Sequence, residues 1–194
     1  NVTTSNFVKP SYWSVDYIQD ITKIIAPYTD DLRMPATLAK QGANTKPDFD
    51  FTNVGLLFPD NDEAEIAYFV IQMPHDWLEG TTIYPHVHAR LTATGQPIMK
   101  LDYKWYNKTD AVPAGSFSTY TMNVNTAGTW STGVLSTMIV GSGGIAGTGK
   151  TASSILVCKL YRETTGNNYT GDLLVDQFDI HYTKWRFGAD VQTA

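Results

Sequence analysis

From Ile83 the chain alternates. Ile83, Pro85, Val87, Ala89 and Leu91 fall on one side of an extended backbone, while Tyr84, His86, His88, Arg90 and Thr92 fall on the other. A strand with one core face and one wet face is predicted. Thr94-Gly95-Gln96-Pro97 supplies turn chemistry, after which Met99, Leu101, Tyr103 and Trp105 alternate with Lys100, Asp102 and Lys104. The two runs are therefore expected to form an antiparallel hairpin. Ile66 to Met73 is apolar at both alternate sets of positions, which predicts a central strand buried on both faces. Phe117 to Val124, Val134 to Val140, Ser154 to Arg162 and Leu173 to Tyr182 supply further strands, separated by stretches of turn composition such as Thr164 to Asn168. Seven or eight closely spaced strands, with no sustained helical period after residue 27, predict an all-β fold: a jelly-roll-like antiparallel β-sandwich.

Residues 1–50 read differently. Val15, Ile18, Ile21 and Ile25 stand at helical spacing, with Ser14 as N-cap and Pro27 as stop, so a short helix is a candidate here. From Pro27 to Asp50 no period is sustained, and Pro35, Gly42, Asn44 and Pro47 punctuate the chain. The expected organisation is an extended N-terminal arm over 1–50 and a β-sandwich domain over 51–194. An irregular segment this long is expected to pack on its own sandwich or on a neighbouring subunit.

Composition narrows the partners. At 194 residues and 42% hydrophobic, the chain can fill one domain core. A net charge of -5 and a pI near 5.2 leave no basic surplus for nucleic acid. No apolar run approaches the roughly 18 residues of a membrane span, and the start lacks the pattern of a signal peptide, so no membrane partner is expected. Cys158 is the sole cysteine and lies in an apolar run, which predicts a buried, unreactive thiol. The Asn-x-Thr triplets at Asn1, Asn107 and Asn168 carry weight only in a secreted chain.

Two motifs match chemical patterns. Gly144 to Thr151 satisfies the phosphate-loop pattern, but that chemistry needs a helix N-terminus behind the loop. Here Ser154 to Tyr161 follows, with the composition of a strand, so a flexible strand connection is expected instead of a nucleotide site. The second match is Gly80 to His88, which fits the opening of the cupin metal motif. Histidines at i and i+2 of a strand share a face at about 7 Å, and His86 and His88 could hold one metal inside a barrel. The glutamate that cupins place after the second histidine is missing, Thr92 and Ala93 standing in its place. His181, on the face of Asp179 and Gln177, completes a set only if its strand lies beside that of His86. The competing expectation is that these histidines are hydrogen-bonded to Asp76, Asp179 or Tyr84 and that no metal or other cofactor is bound. His75 is expected as a structural hydrogen-bonder in a loop. The acid pair Asp30-Asp31 reads as solvated loop charge, and Trp77, Trp130 and Trp185 are the tryptophans left open for sugar stacking.

The run Gln72 to His88, followed by Leu156 to Arg162, Tyr169 to Asp172 and Phe178 to Tyr182, resembles a group of proteins encoded in tailed-bacteriophage and environmental viral genomes. The likeness covers roughly residues 50–183, and this chain has Ala89 where many of that group carry tryptophan. The resemblance implies a virion structural protein without catalytic residues. A capsid decoration or cement protein is the expectation: made in the host cytoplasm, located on the capsid surface, bound to the major capsid protein and to copies of itself as a trimer. The alternatives are a cupin-like metal-binding enzyme using His86 and His88, and a tail-associated carbohydrate- or receptor-binding sandwich.

Overall fold

A computed structural model describes residues 26–41, 46–60, 62, 64–111, 115–124, 131–140, 143–167 and 169–185. Its strands are β1 (Tyr28–Pro35), β2 (Lys40–Gln41), β3 (Asp48–Asp50), β4 (Gly55–Phe58), β5 (Ala67–Gln72), β6 (Tyr84–Leu91), β7 (Ile98–Tyr106), β8 (Ser118–Val124), β9 (Ser136–Val140), β10 (Ile155–Glu163) and β11 (Leu173–Lys184). A 3-10 turn at Ala36–Leu38 is the one helical element among the described residues.

Every pairing between these named strands is antiparallel. β4-β11-β6-β9 form one sheet and β5-β10-β7-β8 the other, with β8 and β9 pairing at the edge where the layers meet. That order over β4 to β11 is a jelly roll. β3 extends the first sheet beyond β4, and β2 extends the second beyond β5. β6 occupies one side of β11 from Leu173 to His181; on its other side β4 pairs with Leu173 to Val175, and β1 takes over from Gln177 to Lys184.

The core lies between the two layers. Val87, Ala89 and Leu91 of β6, with Phe178 and Ile180 of β11, face Phe69, Ile71, Met99, Leu101, Leu156 and Leu160 of the opposite sheet, all buried. The Phe69 and Phe178 rings meet at 5.1 Å, and burying a large apolar side chain of this kind stabilises by about 1.5–3 kcal/mol. Trp77 and Trp105 pack at 5.4 Å, with the Trp105 indole donating to the buried Ser154 hydroxyl at 2.8 Å. Cys158 is buried, as its apolar run predicts.

Three sequence expectations are corrected. β6 and β7 do not pair as a hairpin: each joins a different sheet, and the 92–97 turn carries the chain across the sandwich. Thr92 and Asp172 exchange hydrogen bonds at 2.7 and 3.1 Å, and a Cβ on Gly95 would stand 2.2 Å from the Tyr169 ring. The turn is thus bound to the β10–β11 connection. β5 is not covered on both faces, because a two-layer fold buries only one side of each strand, and Val70 is 72% exposed. The stretch 28–50, expected to be irregular, contains three strands. The candidate helix at 14–25 lies outside the described residues.

Candidate functional site

Alternation along β6 sends Pro85, Val87, Ala89 and Leu91 into the core, which leaves His86 and His88 on the outer face of the sheet. In β11 a bulge between Val175 and Gln177 inserts Asp176 and resets the alternation. Gln177, Asp179 and His181 consequently face outward while Phe178 and Ile180 stay in the core. Register then does the rest: Asp179 lies opposite His86, Gln177 opposite His88 and His181 opposite Tyr84. From the other side, β1 sets Asp31 opposite His181 and Arg33 opposite Asp179. Three strands far apart in the chain place three imidazoles and two carboxylates on one patch.

The cluster is tight and partly enclosed. The side chains of His86 and Asp179 are 3% exposed, that of His88 31% and that of His181 46%. Asp179 Oδ2 stands 3.3 Å from His88 Nε2 and 3.8 Å from His86 Nε2, and Asp31 Oδ1 stands 2.8 Å from His181 Nε2 without the alignment of a hydrogen bond. The His86 ring lies 4.2 Å from that of His181 and 5.1 Å from that of His88, centroid to centroid. Two sets of three ligand atoms, His86-His88-Asp179 and Asp31-His86-His181, each fall within 4.8 Å and share His86.

His86 Nδ1 is 3.3 Å from the Tyr84 carbonyl, so the tautomer with its proton on Nδ1 donates there and leaves the Nε2 lone pair facing Asp179. Burial holds the His86 pKa below the usual histidine value, and the neighbouring His181 and His88 add to the depression. The Tyr84 carbonyl and Asp179 act in the opposite direction. Among the described residues, Oδ1 of Asp179 and Oδ1 of Asp31 are buried and accept no hydrogen bond. A cleft of about 380 Å³ lined by Asp31, Arg33, His88, Gln177 and Asp179 opens beside them. Such a set can act as nitrogen and oxygen ligands for a divalent ion, or as a store of protons.

The structure therefore brings His181 beside His86, as a shared site requires, but outside the sandwich and not inside a barrel. Asp76 pairs with Lys184 at 2.9 Å and accepts from the Tyr182 hydroxyl at 3.2 Å, apart from the imidazoles. His75 contacts the Ser153 hydroxyl at 2.7 Å, as expected of a structural residue. Asp31 was missed by the loop reading; the signal is the alternation of Asp31 and Arg33 with Leu32 and Met34, of which Met34 is buried.

The phosphate-loop match is packed, not a flexible connection. Ile145 and Ile83 exchange backbone hydrogen bonds at 2.8 and 3.0 Å, and a Cβ on Gly147 would stand 2.2 Å from the Thr81 carbonyl. Strand β10 follows it, and no helix among the described residues. Trp77 is buried in the core and gives no surface for a sugar, Trp185 is exposed, and Trp130 lies outside the described residues.

No family model matches the sequence, and no curated protein does. Among solved structures, the carbohydrate-binding module CBM36 in complex with calcium and xylotriose aligns with 77% of this chain and 98% of its own, at 13% identity and a TM-score of 0.45. The CBM36-1 domain of a multidomain xylanase from the hindgut metagenome of Trinervitermes trinervoides covers 78% of this chain and 96% of its own, at 10% identity and 0.43. A family two carbohydrate esterase from Cellvibrio japonicus covers 84% of this chain and 37% of its own, at 7% identity and 0.42.

Proposed function

We propose that the chain is a structural protein of a tailed-phage virion, a capsid decoration or cement protein that binds the major capsid protein lattice and has no catalytic role. The observation that carries the reading is where the residues of the viral resemblance sit. The blocks ending at His88 and beginning at Phe178 are adjacent strands, in register at His86 and Asp179. The blocks around Arg162 and Tyr169 form one buried knot, in which the Arg162 guanidinium donates to the carbonyls of Tyr169 and Gly171, each at 2.6 Å. What the resemblance shares is thus scaffold. Jelly rolls serve viral capsids as well as lectins and cupins.

A contact surface fits this role. The β3–β4 turn exposes Phe51 to 85% and holds Val54 at a φ of 57°, a conformation costly for a β-branched side chain. Asp50 caps the turn through the Thr52 and Asn53 amides, and Arg90, paired with Asp176, donates to the Asn53 carbonyl at 2.6 Å. The apolar tip is pre-organised. Quantitative mass spectrometry of purified virions is expected to find the chain in fixed stoichiometric ratio to the major capsid protein; finding it only in infected-cell cytosol would refute the reading.

A second reading, a carbohydrate- or receptor-binding sandwich at the tail, is favoured by the exposed Tyr84 beside the imidazole cluster. It predicts glycan affinity that falls when Tyr84 or Trp185 becomes Ala. A flat glycan array removes it.

A further inference from the structure

We propose that His86, His88 and Asp179 bind one divalent transition-metal ion on the outer face of the β4-β11-β6-β9 sheet, with His181 and Asp31 closing the site from β11 and β1. The starting point is Asp179. Its side chain is 3% exposed, and its Oδ1 accepts no hydrogen bond among the described residues. Removing a carboxylate from water costs several kcal/mol unless a charge or donor compensates. The imidazoles beside it approach the other oxygen, Oδ2, at 3.3 Å from His88 Nε2 and 3.8 Å from His86 Nε2, and so leave Oδ1 without a donor among the described residues.

Those separations suit a different partner. An ion with ligand bonds of about 2.0–2.2 Å in a tetrahedral shell holds its ligand atoms roughly 3.3–3.6 Å apart. Asp179 Oδ2 and His88 Nε2 already stand at such a spacing, His86 Nε2 lies 3.8 Å from the same oxygen, and the three ligand atoms all fall within 4.8 Å of one another. The His86 Nδ1 contact with the Tyr84 carbonyl is the outer-shell bond that orients a ligating imidazole. Imidazole nitrogens select zinc, cobalt, nickel or iron over calcium and magnesium, which take oxygen shells. Because ligands come from β6 and β11 and Asp31 from β1, the ion ties the N-terminal strand to the centre of the sheet. The site stands on these residues alone and does not depend on the virion reading.

The test uses the full chain, stripped with chelator and titrated with Co²⁺. One equivalent is expected to produce visible d–d absorption, displaced by Zn²⁺ and unaffected by excess Ca²⁺ or Mg²⁺. Asp179→Asn, which keeps the shape, and His88→Gln, at a partly exposed position, are each expected to lose at least about tenfold in affinity. His75→Gln, remote from the cluster, is expected to bind like the parent. Zinc is also expected to raise the melting temperature of the parent and not that of Asp179→Asn. If Asp179→Asn does not fold, His88→Gln decides the matter. No stoichiometric cobalt spectrum, parent-like binding by His88→Gln, or loss of binding in His75→Gln overturns the proposal.

Discussion

Arg162 shows how much one side chain can organise. Its guanidinium is fully buried, lies 4.8 Å from the Tyr169 ring, and donates to the carbonyls of Phe58, Tyr169 and Gly171. An unsatisfied buried carbonyl costs about 1–3 kcal/mol, so Arg162→Met is expected to lose about 3–5 kcal/mol in urea unfolding at unchanged slope. A loss under about 1 kcal/mol would mean that the carbonyls find other donors. Val54 is the opposite case, a residue that its own backbone disfavours. The left-handed conformation costs about 1–2 kcal/mol for most L-residues but is tolerated by asparagine. Val54→Asn is therefore expected to raise the melting temperature by about 2–4 °C, as scanning calorimetry would record. A lower melting temperature would show that the exposed valine contributes contacts of its own.

At the scale of the element, β1 is held by two devices. Leu32 and Met34 pair with Ile180 and Phe178 on the core side, while Lys184 reaches Asp30 and Asp76 at 2.9 Å each. The Lys184 hydrogen bond, helped by the Asp31 amide, holds the Asp30 carboxyl below its usual pKa. The sign follows from linkage: a lowered carboxylate pKa stabilises the fold above the ordinary value of about 4, and this is lost as pH falls through the lowered value. Lys184→Ala is expected to speed amide exchange at 28–31 while leaving β10 protected. Uniform loss of protection across both strands would instead mean that β1 opens only with the whole sandwich.

For the whole molecule, the decoration reading predicts a trimer in native mass spectrometry, because a lattice cap at a local symmetry axis repeats one contact around it. A monomer would count against that reading and leave the metal site untouched. Much of the architecture was legible beforehand. Val87, Ala89 and Leu91, like Met99, Leu101 and Trp105, announce their inward face through a two-residue period that any buried-on-one-side strand must show. Less legible was the partner of each strand. The turn at Gly95 looks like a hairpin turn until Tyr169, more than seventy residues on, is seen to pack against it. Asp31 looked like loop charge because nothing nearby in sequence marks its pairing with His181.

The sequence by itself determined that this chain is all-β, which side chains of β6 and β7 face the core, and that His86 and His88 share a face. Those are properties of a local repeat. Only the tertiary structure decided which strand neighbours which within the jelly roll that the sequence predicts, that the bulge at Asp176 turns Asp179 outward, and that β1 brings Asp31 to His181. The physical reason is that register between strands separated by ninety or more residues is set by how the whole core packs, and short-range alternation is the same whichever neighbour a strand finally takes.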